Sequence, residues 1–341
     1  MNTRVITSRQ DDHKGSPFIY MFLLFSLVLL LAACGQQSTT TGSTSTQATP
    51  TPTPALDAYG TPIAIPKTAP QRIVSLVPST SEILGALHLE SRVVGIDYYT
   101  NYPASLTSRP KVSNANGVFN VEQIVALKPD LVLSYGGETK TYDTQLKQLG
   151  LNVVDLQLTN LTQSLQDIAL VGRLTSTETT ANALVQQLQK QVDSIKATVK
   201  GTTTPSIMLE VDDSAPGKPF VFGGGSFGDE LAQDAGAVNI FHTSTTNGGY
   251  PQVTDEAVIT ANPQYIILTE DPAYGGDANA VYKRPNWGTI AAVKNRKVYH
   301  VNVDIIQRPG PRLVQGLQCV AQLVHPDKFP GALPSYCSAS V

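Results

Sequence analysis

At 341 residues, with 24 basic and 27 acidic side chains and a net charge of −3, the chain exceeds one ordinary domain and has room for two α/β lobes. Its near balance of charge, with no basic stripe, excludes a nucleic-acid binder on electrostatic grounds.

The first feature in chain order is the apolar run 17–33, preceded by Arg4, Arg9 and Lys14 in the charge order of a secretory signal. It ends in Leu31-Ala32-Ala33-Cys34, which resembles a bacterial lipobox, so residues 1–33 are expected to be removed and Cys34 to carry lipid. A plain transmembrane anchor is the alternative reading of the same run. Under either, the rest of the chain lies outside the cytoplasm, and under the first it is anchored by lipid on the outer face of the cell membrane. Residues 34–68 are expected to be a tether, because from Gln36 to Pro54 nearly every residue is Thr, Ser, Gln, Pro, Ala or Gly and no face can be buried.

A first lobe is expected over 69–172. Arg72–Val77 reads as a short buried strand, Pro78–Ser81 as a turn and cap, and Glu82–Leu87 as a helix. Arg92–Ile96 is a second strand, running into the polar, Tyr-rich loop Asp97–Pro103. Then follow the helical turn opened by Glu122, the strand from Leu131, a helix near 141–149 and the strand Asn152–Leu156. Strand, helix, strand is the unit of a parallel sheet.

Over 173–202 a long helix is expected, with Ala181, Leu184, Leu188, Val192 and Ile195 forming one apolar stripe at spacings of three and four. The second lobe, 203–330, replays the first: strands at Ser206–Val211, Tyr265–Leu268 and Lys297–Val301, and helices from Ser226, Glu256 and Arg312. A tail, 331–341, contains Cys337. In an oxidising compartment Cys337 can pair with Cys319 of the last helix; two free thiols are the alternative.

The chain says one thing twice. Glu122 opens a helical turn, Pro129 follows seven residues later, and Leu131-Val132-Leu133 comes next; Glu256, Pro263 and Tyr265-Ile266-Ile267-Leu268 repeat the order. Two similar lobes, each presenting one Glu in a corresponding place, are the simplest cause. Asn120 and Thr254 stand two residues before each Glu as N-caps, and a carboxylate in a first helical turn is favoured by the helix dipole with no further role.

These features, with Arg72–Glu82, Val94-Gly95-Ile96, Tyr102-Pro103, Val121–Val132 and Tyr250–Val253, resemble the helical-backbone (class III) ABC-transporter substrate-binding proteins. Within that class the chain is most similar to the vitamin B12-binding group, relatives of ferric siderophore and haem binders. The resemblance runs from Gln71 to His325 and implies an α/β fold of two lobes with central parallel sheets, joined by one long backbone helix, with the ligand cleft between them. It also implies a monomer without cofactor that captures a small molecule, cobalamin or a related corrinoid, and delivers it to a permease. Glu122 and Glu256 match the family's docking carboxylates, one per lobe, which meet permease arginines.

Loops at the carboxyl ends of the strands are expected to line the cleft. The candidates are Ser79, Tyr99, Asn116, Phe119 and Tyr135 on the first lobe, and Phe222, Gly224, Ser226, Tyr250, Trp287, Asp304 and Arg308 on the second. Tyr99 matches the family's first-lobe aromatic contact, Tyr250 replaces a Trp-like one, and Asp304 with Arg308 matches the polar pair after the last strand. The chain departs from the B12 binders before Glu122, where Val112–Phe119 is one residue longer and lacks Trp, leaving Phe119 as the substitute. No axial-ligand motif for haem surrounds His88, His242, His300 or His325, and no cluster of zinc or manganese ligands is legible.

A rival of another class rests on Gly224-Gly225-Ser226-Phe227-Gly228, a Gly-x-Ser-x-Gly between a strand and a helix, with histidines downstream. It reads as a secreted serine esterase using Ser226. Against it, the glycine run also suits a tight turn that brings backbone close to a ligand.

Overall fold

The structure is a computed structural model describing residues 55–136, 139–157, 159–270 and 276–338. The signal run, Cys34 and the Thr/Ser/Pro stretch to Pro54 lie outside the described residues. Among the described residues no helix is long and apolar enough to cross a membrane.

The first lobe is built on β1 (Ile73–Ser75), β2 (Val93–Ile96), β3 (Leu131–Tyr135) and β4 (Val153–Leu156), all parallel, in the order β2-β1-β3-β4. Ile73, Val74, Leu131, Val132 and Leu133 are wholly buried, because helices cover both faces and the strands need continuous apolar runs. The helix α1 (Pro78–Ala86) begins four residues before the sequence pattern places it, with Pro78 in its first turn, where the missing N–H costs nothing. Then come α2 (Val121–Ala126), α3 (Lys140–Gln148) and α4 (Leu161–Thr175).

The second sheet holds β5 (Ser206–Asp212), β6 (Phe220–Val221), β7 (Val238–Asn239), β8 (Tyr265–Leu268) and β9 (Val298–His300). Its order is β6-β5-β8-β9, with β7 also on β5. All pairings are parallel except β5 with β6, so the expected parallel sheet carries one antiparallel edge.

The backbone helix is α5 (Glu178–Val199), about 33 Å long at 1.5 Å per residue. Of the predicted stripe it buries Ala181, Leu188, Val192 and Ile195 and half-buries Leu184, and it starts after Ser176, whose left-handed φ of 57° ends α4. Gly172 of α4 is what lets the two helices close: a Cβ there would stand 2.3 Å from that of Ala181. One apolar cluster runs from Ile73 and Leu133 through α4 and α5 to Ile207, Leu317 and Val320, so the lobes share a core.

Both ends depart from the expected boundaries. The tether expected to reach residue 68 is already folded at Ala55: Ile63 donates to Ala55 O, Ala58 donates to Asp155 O of β4, and Asp57 is buried against Lys147. The segment is a short hairpin anchored by Asp57 Oδ1, which accepts from the Tyr59 and Thr61 amides. At the other end Cys337 is bonded to Cys319, with Cα atoms 5.7 Å apart, and its carbonyl accepts from Asn302 N. The residues of the tail up to Ser338 therefore pack on the second lobe.

Beneath Tyr59 lie Asp143 and Asp155, both fully buried; Ser134 Oγ and Tyr59 Oη donate to each. Burial first, and the neighbouring Asp143 second, push Asp155 up to about 7. Its folded pKa thus stands above the unfolded value near 4, so its contribution to stability is complete below about pH 4 and is lost as pH rises through about 7. Thermal unfolding should show wild-type stability falling by about 4 kcal/mol across that window on account of this group, and Asp155→Asn should remove that part of the slope. An unchanged slope in the variant would refute the assignment.

Candidate functional site

A cleft of about 440 Å³ opens between the lobes, lined from the first by Val77, Pro78, Ser79, Tyr99 and Tyr135. Phe222, Phe227, Tyr250, Val303, Gln307, Arg308 and Pro309 line it from the second. The topology dictates this. Val77–Ser79 follow β1, Tyr99 follows β2, Tyr135 ends β3 and Val303 follows β9, so carboxyl ends of parallel strands from both sheets face one space, with Phe222 added from the antiparallel edge strand β6. The volume lies in the range of small-molecule sites.

The second-lobe wall is an aromatic stack. Phe222 meets Phe227 at 5.1 Å and Tyr250 at 5.4 Å between ring centroids, both inclined. Phe222 is fully buried behind the half-buried Tyr250, so Tyr250 is the surface offered and Phe222 its backing. Gly228, in the first turn of α6 (Phe227–Asp234), makes room, since a Cβ there would fall 2.2 Å from the Phe222 ring. Opposite stands Tyr99, 55% exposed, its ring edge-on to Tyr98 and its hydroxyl donating to Ala115 O at 2.5 Å.

The polar groups of the cleft are tied down. Gln307 Nε2 donates to Thr269 O at 2.8 Å and to Val211 O at 3.2 Å. Arg308 pairs with Asp304 at 2.7 Å and donates across the cleft to Asn101 Oδ1 at 2.6 Å, while Asn101 Nδ2 donates to Asp304 Oδ2. Behind them Arg312 grips the buried Glu82 of α1 through Nε at 2.9 Å and Nη2 at 2.5 Å, and Arg308 Nη1 lies 3.8 Å from the same carboxylate. Two guanidiniums thus face two carboxylates across the lobes, leaving no net charge in this group.

Of the predicted contacts, Ser79, Tyr99, Tyr135, Phe222, Tyr250 and Arg308 do line the cleft. Phe119 does not. Asn114 Oδ1 accepts from the amides of Asn116 and Val118, and Ser113 bridges to Phe119. This hairpin turns the Phe119 ring back onto Tyr142, 5.0 Å away, in a separate groove of about 690 Å³ that Glu122 also lines. Asn116 is left exposed on the hairpin.

Ser226 is likewise withdrawn. As N-cap of α6 its Oγ donates to Gly223 O at 2.7 Å and accepts from Asp229 N, while His242 Nδ1 is engaged by Asp229 Oδ2 at 2.8 Å. Its backbone angles, φ −85° and ψ 159°, are ordinary extended geometry, unlike a strained nucleophile turn. Asp304 neutralises Arg308 and is not on the wall, Gly224 lies against the His242 carbonyl, and Trp287 is buried in the outer core under Arg284. The sequence pattern did not single out Val77, Pro78, Phe227, Val303, Gln307 or Pro309. Their one signal is nearness in sequence to Ser79, Ser226, Asp304 and Arg308.

Both repeat copies fold alike. Asn120 and Thr254 cap their helices by accepting from the amides of Gln123 and Ala257, and Glu122 and Glu256 are exposed in the first turns. Lys128 and Asn262 end the two copies with left-handed φ of 47° and 48°, each directly before the proline. The strands that follow, β3 and β8, each pair in parallel with the first strand of their own sheet. The Glu256 carboxyl is held below its ordinary value by its own amide and by Thr254.

Comparison with known proteins gives a consistent result. Residues 73–304 match the family described as periplasmic binding protein. An uncharacterized ABC transporter substrate-binding lipoprotein of Bacillus subtilis, YvrC, is 33% identical over 318 residues, covering 91% of this chain and 98% of the relative. The vitamin B12-binding protein of Vibrio cholerae is 27% identical over 263 residues, 76% of this chain and 91% of its own. Among solved structures, that of a possible iron-binding (periplasmic solute-binding) protein from Staphylococcus epidermidis superposes with a TM-score of 0.66 at 27% identity, covering 76% of this chain and all of the other.

Proposed function

We propose, from the premise that the chain belongs to the periplasmic binding protein family, that it captures cobalamin or a related corrinoid outside the cytoplasm and delivers it to an ABC permease. Lipid on Cys34 would hold it at the outer face of the membrane, as a monomer, and Glu122 and Glu256 would be its contacts with permease arginines.

The cargo reading rests on one observation: the cleft is walled by aromatic and apolar side chains, and the arginines at its edge are compensated by Glu82 and Asp304. A large, flat, nearly neutral ligand gains from stacking against Tyr250 and Tyr99 and needs no excess cation. A highly charged anion would have to displace Asp304 from Arg308 first. The vitamin B12-binding relative of Vibrio cholerae supports the same class. Haem or a ferric siderophore is the alternative, favoured by the tyrosines on the cleft, since a phenolate can hold iron. A catalytic role for Ser226 has no support in a hydroxyl already committed to Gly223 and the helix cap.

Calorimetric titration of the purified protein with cyanocobalamin, a ferric hydroxamate siderophore and haemin tests the choice. Cyanocobalamin is expected to bind one to one, and Tyr250→Ala to weaken it by about tenfold or more through loss of the stacking surface. Preference for haemin or siderophore would replace the cargo and leave the transport role standing.

A further inference from the structure

Outside the cleft, the pairing of β5 with β8 brings together three carboxylates that lie far apart in sequence. Glu210 is opposite Leu268 in the register, Glu270 follows two residues later, and Asp213 stands one residue beyond β5. One oxygen from each lies within 4.8 Å of the others. We propose that Glu210, Asp213 and Glu270 form a binding site for one hard divalent cation in the second lobe.

An acidic cluster alone would not carry this, because Arg284 already serves it. Its guanidinium, 4.5 Å from the centre of the Trp287 ring, donates to both oxygens of Glu210 at 2.6 and 2.7 Å and to Asp213 Oδ2 at 2.5 Å. The independent observation is Glu270. Glu270 is 6% exposed, Oε2 accepts from Asp213 N at 3.1 Å, and Oε1 is buried with no N–H or hydroxyl donor among the described residues. An ionised oxygen buried in that position is destabilising unless something binds it.

The charges give the valence. Three carboxylates against one guanidinium leave two negative charges, which one divalent ion neutralises. The donors give its class: with oxygens alone and no thiolate or imidazole in the set, the site suits calcium, magnesium or manganese rather than zinc or copper. The spacing agrees, since oxygens around an ion at about 2.1–2.5 Å stand roughly 3–5 Å apart. Oxygens that accept from Arg284 keep a second lone pair for the ion. A neighbouring cavity of about 250 Å³, lined by Asp213, Arg284, Gly217 and Asp255 among others, gives the ion and its water ligands a way in.

The site has a path to the cleft. Gln307, on the cleft wall, is held by the carbonyls of Val211 and Thr269, the residues next to Glu210 and Glu270. Binding of an ion would fix these strand ends and with them Gln307.

The competitor is a proton, since a carboxylate must be ionised to hold a cation. The test uses the whole protein, stripped with chelator and titrated at pH 8 with calcium, magnesium and manganese chlorides by calorimetry, with manganese also followed by electron paramagnetic resonance. One ion per chain is expected, with a rise in melting temperature that grows with ion concentration. Glu270→Gln and Asp213→Asn should each weaken binding by about 100-fold or more, whereas Glu122→Gln/Glu256→Gln should leave it unchanged. Both single variants replace a carboxylate by an amide of the same shape, and their ion-free melting curves show whether they fold. Should Glu270→Gln fail to fold, Asp213→Asn decides alone. Absence of binding up to about 10 mM, a concentration that would saturate even weak extracellular sites, would show that the proton suffices and overturn the proposal. Binding that survives both substitutions would place the ion elsewhere and overturn it equally.

Discussion

Uptake by the assembled transporter should fall about 100-fold or more when Glu122 and Glu256 are both replaced by alanine, with the affinity of the isolated protein for its ligand unchanged. The two carboxylates are exposed, each is set in a first helical turn by its own N-cap, and neither lines the interlobe cleft. Removing them therefore leaves the cleft intact. Each would lose a charge-assisted contact with a permease arginine, worth about 2–5 kcal/mol when its partner is left unpaired in a closed interface. Single substitutions should retain part of the activity, since one lobe still holds. Uptake measured in membrane vesicles or whole cells, beside calorimetric ligand titration of the same variants, separates docking from capture. Normal uptake by the double variant would leave the two residues as helix-dipole partners and nothing more.

How far this was legible beforehand follows from the range of the forces involved. The repeat was legible because its parts are local: a cap, a Glu in the first turn, a proline seven residues on and a buried strand. The left-handed residues Lys128 and Asn262 gave no sign, since only the second belongs to a type that favours positive φ. Tyr99 and Tyr135 could be placed because residues at the carboxyl ends of parallel strands have little choice but the cleft, whereas Phe222, Tyr250 and Arg308, which follow an antiparallel edge strand and two short helices, were placed by the family resemblance and by the loops they stand in. Phe119, Ser226 and Asp304 failed for a common reason. Each was captured by a partner nearer than the ligand: a hairpin turn and Tyr142, a helix cap, and Arg308. The Glu210–Asp213–Glu270 cluster was invisible because β5 and β8 supply it from distant segments. The folding of Ala55–Ile63 had a signal in Leu56, Tyr59 and Ile63, which break the tether's composition, but the stretch is too short to show a helical or strand period.

Removal of the Glu82 carboxylate, in Glu82→Ala, should destabilise the fold by about 3–5 kcal/mol, measured as a shift in the midpoint of urea unfolding without a large change in slope. Glu82 is 1% exposed, and burial pushes its carboxyl up against the pull of Arg312 and Arg308. Its Oε1 and Oε2 accept both arms of Arg312, whose guanidinium lies 4.2 Å from the centre of the Tyr102 ring. Truncating the acid strands that guanidinium in a partly buried site between the lobes. Replacing both partners, as Glu82→Met with Arg312→Met, removes the stranded charge and should restore most of the stability, because the desolvation cost of a buried pair nearly cancels its attraction. The two variants then part company in binding. Arg308 would keep Asp304 and Asn101 in the double variant, but the clasp from α1 to the second lobe would be gone, and the walls bearing Tyr99 and Tyr250 would be held together less tightly, through Asn101. Near-normal stability with weaker ligand binding would mark the pair as the device that sets the width of the cleft. Near-normal binding would instead assign that task to the shared core of α4 and α5.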